Sequence, residues 1–281
     1  MNPYRGRIAP TPSGLLHLGH ARTFQTAHKR ARQAGGQLVY RTEDLDPHRC
    51  KAGFAEAAMA DLKWLGIDWD EGPDCGGPHS PYTQSKRIFH YSALLESLKR
   101  RNLVYPCRCS RKDVVKAANA PHESDDEPIY PGTCRPANGR EAAFCVDDEP
   151  RVNWRFRVPD KLNVSFVDGW FGTQSFIAGA EFGDFVLWRH DNIPSYQLAV
   201  VADDHDMDIT EVVRGEDLLK CTARQLLVYD AFNWKPPSFH HCPLVTDNNG
   251  QRLAKRHKAL SLRAMRDSGA NPSEILSRLN S

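Results

Sequence analysis

No stretch of this sequence approaches about 18 consecutive apolar residues, so nothing in it reads as a membrane-spanning helix. Its start, Met1-Asn2-Pro3-Tyr4-Arg5, runs directly into strand-like sequence and lacks the apolar core of a secretory leader. The expected location is therefore the cytoplasm. Charge of one sign is not in excess either: 37 Lys and Arg face 35 Asp and Glu, a net charge of +2. Histones and repressor arms are far more basic, so composition alone does not point to nucleic acid. Internal repeats are missing, and low-complexity stretches are few. Cysteine is not scarce, but the eight at positions 50, 75, 107, 109, 134, 145, 221 and 242 lack the spacing of a disulfide framework. In a chain of 281 residues they read as buried or metal-binding thiols. That length supports one large domain with an insertion.

The first 70 residues alternate strand and helix signals. Arg5 to Pro10 is extended, and a turn follows at Thr11-Pro12-Ser13-Gly14. Ala21, Phe24, Ala27, Ala31 and Ala34 then fall on one face of a helix over 18–34, which Gly35-Gly36 closes. Leu38-Val39-Tyr40 reads as a second strand and 54–65 as a second amphipathic helix, an order that indicates a parallel sheet. After a helix near 83–101, residues 119–150 are rich in Pro, Asp, Glu, Gly and Asn without periodicity. Short β segments occupy 152–190. Parallel-sheet character returns over 195–245, with strands expected at Leu198-Ala199-Val200-Val201 and Ile209-Thr210-Glu211-Val212-Val213 and a helix at 222–233. A basic loop and two short helices complete the chain.

The turn after the first strand ends in His17-Leu18-Gly19-His20. A strand, a glycine-containing turn and a helix N-terminus make an anion site, because backbone N–H groups and the helix dipole face the ligand. Two imidazoles three residues apart suit a phosphate whose charge grows during displacement. Read alone, they are equally a cap and an exposed residue. Far downstream lies Gln251-Arg252-Leu253-Ala254-Lys255-Arg256-His257-Lys258. Read alone, it is a solvated basic loop. Paired with the upstream histidines it reads as a mobile lysine loop that neutralises a departing pyrophosphate.

This pair, in this order, resembles the HIGH and KMSKS motifs of class I aminoacyl-tRNA synthetases. Arg252, Ala254 and Arg256 depart from the second motif, while Lys255 keeps its second lysine. Four further blocks resemble the catalytic half of glutamyl-tRNA synthetases: Arg7-Ile8-Ala9-Pro10-Thr11-Pro12-Ser13-Gly14, Arg41-Thr42-Glu43-Asp44-Leu45-Asp46, Tyr196 through Asp204, and Val213-Arg214-Gly215-Glu216-Asp217-Leu218. The resemblance implies an α/β fold: a Rossmann-like core with a parallel sheet, a zinc-bearing insertion and a short helical cap. The corresponding boundaries are 1–105 for the first half of the core, 106–190 for the acceptor-binding-like insertion, 191–245 for the second half, and 246–281 for the lysine loop and helices.

The resemblance also implies roles. His17, His20 and Lys255 would be catalytic, and with Gly19 they would bind ATP. Arg7 through Thr11, that is Arg7, Ile8, Ala9, Pro10 and Thr11, would bind L-glutamate together with Glu43, Tyr196 and Arg214. The chemistry agrees, since a guanidinium fork suits a carboxylate. Mg²⁺ is expected with ATP, without assigned protein ligands. Cys107, Cys109, Tyr130 and Cys134 match the zinc knuckle of the truncated branch of the family, with His122 and Cys145 as alternatives for the fourth ligand. The chain stops about 25 residues beyond the lysine loop, as that branch does. The branch transfers glutamate to queuosine in tRNA(Asp), which makes that tRNA the expected partner, with no membrane involved. The alternatives are 3′-end charging by a minimal glutamyl-tRNA synthetase, a nucleotidyltransferase, which would not need Arg7, Glu43 and Arg214, and a non-catalytic tRNA-binding paralogue.

Overall fold

The computed structural model describes residues 3–117, 128–137, 152–245 and 261–279. In chain order its elements are β1 (Arg5–Ile8), α1 (Leu18–Gln33), β2 (Gln37–Tyr40), α2 (Ala52–Trp64), α3 (Ile88–Arg100), β3 (Val104–Cys107), α4 (Arg111–Ala117), β4 (Asn153–Phe156), β5 (Asn163–Asp168), β6 (Gly172–Ile177), β7 (Phe185–Trp188), α5 (Tyr196–Asp206), β8 (Glu211–Gly215), α6 (Leu219–Phe232), β9 (Ser238–Cys242), α7 (Leu262–Asp267) and α8 (Pro272–Arg278). Among the described residues no helix is long and apolar enough to cross a membrane.

Small side chains set the first unit. Ala21, Ala27 and Ala31 are fully buried on one stripe of α1 and let it lie close against β1 and β2, which pair in parallel from Arg5↔Gln37 to Ile8↔Tyr40. The return from α1 to β2 passes so near β1 that a Cβ on Gly36 would stand 2.4 Å from the Tyr4 carbonyl oxygen, so only glycine fits. Beyond β1, the Thr210 N–H donates to the Arg5 carbonyl at 2.9 Å, which sets the approach to β8 beside the first strand. β8 and β9 are parallel, β9 meets β5 in parallel at Asp168↔Phe239, and β6 closes that side antiparallel to β5. A separate antiparallel sheet, in the order β3, β4, β7, carries Cys107 at its edge.

The sequence reading of Leu198–Val201 as a strand is corrected: these residues form the centre of α5. Leu198, Ala199, Val200, Val201 and Ala202 are each at most 1% exposed, so the helix has no polar face there, and an all-apolar run looks the same in either conformation. The reading also passed over β9. Its sequence, Ser-Phe-His-His-Cys, has too little apolar alternation to mark a strand, yet it is buried from Phe239 to Cys242.

Candidate active site

The turn between β1 and α1 is tied down by its backbone. The Ile8 carbonyl accepts from the Arg41 N–H at 2.9 Å, the Pro10 carbonyl from the Glu43 N–H at 3.1 Å, and the Pro12 carbonyl from the Lys51 N–H at 3.0 Å. His17, in extended conformation, caps α1. Its Nδ1 accepts the Gly19 N–H at 3.2 Å, while its own backbone N–H donates to His20 Nδ1 at 3.2 Å. Both Nδ1 atoms are acceptors, so each neutral ring carries its proton on Nε2. The ring centroids lie 3.8 Å apart, and a Cβ on Gly19 would come within 3.1 Å of the His17 ring. The flank that follows the basic loop reaches the same turn: the Leu262 N–H donates to the Leu16 carbonyl at 2.8 Å, and Ser261 bridges to His17.

Next to this turn a cavity of about 930 Å³ is lined by Thr11, Glu43, Tyr196 and Gln197 at one end and by Cys109 and Tyr130 at the other. Buried charges lie behind its inner wall. Arg41, fully buried, donates to Asp204 at 2.7 Å and to Glu43 at 3.1 Å. Arg7 Nη1 donates to the Val213 carbonyl at 2.9 Å, and its Nε lies 3.5 Å from Asp204. Asp203 takes Gln84, Arg87 and Tyr91, each at 2.8 Å. Burial pushes the carboxyls of Glu43 and Asp203 above their ordinary range, with Arg41 the chief opposing charge for both.

Arg214, only 4% exposed, differs from these arginines. Its Nε donates to His241 Nε2 at 3.1 Å, its Nη2 to the Thr222 hydroxyl at 2.6 Å, and its Nη1 reaches the Tyr196 hydroxyl at 3.4 Å. Tyr196 is pushed above its usual range by desolvation, against the pull of Arg214. His241 is lowered to about 4, by burial first and then by the Arg214 charge, despite the nearby Asp168. All three groups holding Arg214 are thus neutral, and a guanidinium in such a setting favours an anion. Arg7 Nε, Ser195 Oγ and Gln197 Oε1 are buried without a hydrogen-bond partner among the described residues. Buried polar atoms of that kind call for a partner, whether water, an ion or a ligand.

At the far end of the cavity, Cys107, Cys109 and Cys134 bring their sulfurs within 4.8 Å of one another. Cys109 and Cys134 are 3.7 Å apart, and the Tyr130 hydroxyl stands 3.4 Å from the Cys107 sulfur and 3.7 Å from that of Cys109. Zn–S bonds of about 2.3 Å and a Zn–O bond of about 2.0 Å in a tetrahedron give S···S edges of about 3.8 Å and S···O edges of about 3.5 Å, so the donors fit zinc. Arg155 backs the group. Its Nε donates to the Cys107 sulfur at 3.2 Å, and its guanidinium lies 4.0 Å from the Tyr130 ring centroid.

Residues 4–280 match the family described as tRNA synthetases class I (E and Q), catalytic domain. The chain belongs to that family. It is 49% identical over 273 residues to the glutamyl-Q tRNA(Asp) synthetase of Nitratidesulfovibrio vulgaris, covering 96% of this chain and 83% of that one. It is 48% identical to the glutamyl-Q tRNA(Asp) synthetase of Symbiobacterium thermophilum, covering 98% and 84%. Among solved structures, the crystal structure of a glutamate tRNA ligase from Elizabethkingia meningosepticum in complex with its amino acid superposes with a TM-score of 0.79 at 30% identity, covering 91% of this chain and 52% of that one. The class I synthetase fold and the ligase class expected from the motifs are those of the family.

Within this synthetase fold, Glu43 and Tyr196 line the cavity, Arg214 reaches the Tyr196 hydroxyl and Arg7 lies beside Asp204. Of the knuckle residues Cys109 and Tyr130 line the cavity, and Cys107 and Cys134 cluster with Cys109. Ile8 has its side chain in the core, so only its backbone faces the turn. Lys255 and the rest of 251–258 lie outside the described residues, as do His122 and Cys145. The sequence reading missed Asp168, Thr222, His241 and Arg155. The pairs Asp168–His241, His241–Arg214 and Arg155–Cys107 are separated by 73, 27 and 48 positions, so no short window shows them.

Proposed function

We propose that this synthetase-family chain activates L-glutamate with ATP as glutamyl-adenylate and passes the glutamyl group to queuosine in tRNA(Asp). The observation that carries the amino-acid assignment is Arg214, a buried guanidinium whose hydrogen bonds among the described residues all go to neutral groups, and which acts on Tyr196 together with Glu43 and Arg7. In this reading Arg214 takes the side-chain carboxylate, Glu43 the α-ammonium, and Arg7 keeps the α-carboxylate near the turn. Tyr196 walls the pocket. The α-carboxylate oxygen attacks the ATP α-phosphorus in line. His17 and His20, at the N-terminus of α1, stabilise the phosphates through Nε2–H, and Lys255 stabilises the departing pyrophosphate. A hydroxyl of the acceptor then attacks the adenylate carbonyl and AMP leaves.

The acceptor assignment rests on the two relatives named for glutamyl-Q tRNA(Asp), each matched over more than four-fifths of its length. The cyclopentene diol of queuosine resembles the ribose diol at a tRNA 3′ end, so the transfer chemistry is the same for both. Exposed Arg49 and Arg111 line the same cavity and suit a phosphodiester. Unstacked loop bases are what proteins read in RNA. Cys107, Cys109, Cys134 and Tyr130 would hold one Zn²⁺, whose closed four-donor set gives it a structural part. Mg²⁺ would enter with ATP.

Glutamate should drive ATP–pyrophosphate exchange without tRNA, and glutamine should not. Equal exchange with glutamine refutes the pocket assignment. Lys255→Ala should slow activation by about one to two decades, the worth of one charge-assisted contact made mainly in the transition state. An unchanged rate would pass that role to Arg256 or Lys258. The acceptor is tested by comparing tRNA(Asp) carrying queuosine with the same tRNA carrying guanosine, each with an intact 3′ end. Glutamylation of the first alone is expected, and equal glutamylation would leave 3′ charging as the better account.

A further inference from the structure

We infer that Asp168 and His241 form a positioning relay that holds Arg214 as an anion-binding fork, and that this relay sets the preference for a carboxylate over an amide in the pocket. The inference rests on the reading of Arg214 as a substrate-binding arginine and adds two residues to it.

The relay is built into the sheet. Asp168 ends β5, and His241 and Arg214 face each other as Cα partners in the β9–β8 ladder. All three stand towards the carboxyl ends of adjacent parallel strands, where α/β sheets bind ligands. Asp168, 2% exposed, is saturated with donors. Its Oδ1 accepts the Trp170 and Phe171 N–H groups, each at 2.9 Å, while its Oδ2 accepts the His241 N–H at 3.0 Å and lies 2.6 Å from His241 Nδ1. Although burial opposes it, these hydrogen bonds keep the Asp168 carboxyl below its ordinary range, so it is ionised and only accepts.

The proton between Asp168 and His241 therefore sits on Nδ1. The ring is neutral, with its Nε2 lone pair aimed at Arg214. A guanidinium only donates, so at 3.1 Å its Nε–H requires that lone pair. Thr222, whose hydroxyl is 3.1 Å from the same Nε2 and accepts from Arg214 Nη2, completes the frame. Among the described residues three of the five guanidinium N–H groups are then spoken for, which leaves one on each of Nη1 and Nη2 for a substrate. With the opposite tautomer, or a protonated ring, Nε2–H would oppose Arg214 Nε–H and turn the fork away. The charged groups acting on the ring are Asp168, Arg214 and Arg7, and burial outweighs the attraction of Asp168. Neutral fastening also leaves the Arg214 charge for the ligand, which an amide could not satisfy.

Two measurements test this. In ¹⁵N-histidine-labelled protein, the signal lost in His241→Gln should report a neutral ring protonated at Nδ1 at pH 6. A protonated ring, or a proton on Nε2, overturns the relay whatever the substrate proves to be. In exchange assays, Asp168→Asn must set an amide NH₂ against one of the donors that Asp168 now accepts. Glutamate KM should rise roughly ten- to hundredfold, with kcat and ATP KM changed far less and glutamate-over-glutamine selectivity reduced. His241→Gln, whose Oε1 can still accept from Arg214, should retain more of both than His241→Leu. Unchanged KM and selectivity in folded Asp168→Asn overturn the inference. If that variant does not fold, equal behaviour of the two His241 variants does so instead. Failure of the parent protein to use glutamate would strike the substrate reading, and the ring measurement would still judge the relay.

Discussion

The two ends of the active-site cavity are fixed by different means. The arginine end lies against the large clusters. Ile8 and Val213 belong to one core, and α5 and α6 contribute much of another, which buries twenty-one hydrophobic residues. Charges placed there are held by strands that could not shift without opening the core, so Arg214 needs only neutral neighbours to aim it. Among the described residues the cluster at the knuckle end has four buried hydrophobic residues, Tyr105, Cys107, Val114 and Tyr130, and two of these belong to the candidate metal set. So small a cluster does not offset the cost of ordering the chain around it. In the reading proposed above a bound ion would supply the difference: the arginine end uses packing to place charges, and the knuckle would use ligand bonds in place of packing.

The sharpest way to break this comparison is Arg214→Leu. Truncating one partner of a buried charge pair costs about 3–5 kcal/mol, or roughly two to four decades, so glutamate activation should fall by that much while the fold persists. Thermal melting close to that of the parent, with exchange nearly lost, is the expected result. Retained exchange would move carboxylate recognition to Arg7. At the other end the balance should reverse. Cys107→Ser or Cys134→Ser should abolish stoichiometric zinc and loosen the 107–134 segment, as read by metal analysis and by limited proteolysis. Carefully prepared protein without zinc would refute the knuckle. Tyr130→Phe is a milder cut: lower zinc affinity with the metal still bound is expected, and unchanged affinity would assign the fourth position to water, His122 or Cys145.

The sequence exposed the parts of this site that are local. His17, Gly19 and His20 fall within one helical start, Cys107 and Cys109 flank one residue, and Glu43 lies three residues beyond an obvious strand. The histidine pair is legible from its spacing at a helix start, and Glu43 and the cysteines through the family motifs in which they lie. Asp168, Arg214 and His241 are brought together only by the lateral order of β5, β9 and β8, with 73 residues separating the aspartate from the histidine. Strand order is not written in any short window. Nor did β9 show itself, since two histidines interrupt its apolar pattern, His241 buried between Asp168 and Arg214 and His240 buried edge-on to Trp170. The same limit misread α5. A helix wrapped on all sides by core has no polar stripe to reveal its period, and Leu198–Val201 belongs to none of the sheets.

The smallest effect sharpens the comparison from the side of stability. A histidine has a pKa of about 6.5 in the unfolded chain, whereas His241 is lowered to about 4 in the folded protein by burial and Arg214. Between those values the unfolded chain binds the extra proton, so stability rises with pH across the window and is lost as pH falls from about 6.5 towards 4, by at most about 1.4 kcal/mol per pH unit. Asp168 acts in a separate window. Its folded value is lowered, so its contribution persists above the ordinary aspartate range and disappears only below about pH 4. His240, lowered by burial and Arg30, adds to the His241 trend, and Glu43, raised by burial, opposes it. Both are common to parent and variant, so the difference between the two isolates His241. Urea unfolding at pH 7, 6 and 5 should show the parent losing stability more steeply than His241→Gln. Parallel curves would mean that His241 takes up a proton as readily folded as unfolded, and a ring that does so could not be the neutral acceptor that aims Arg214.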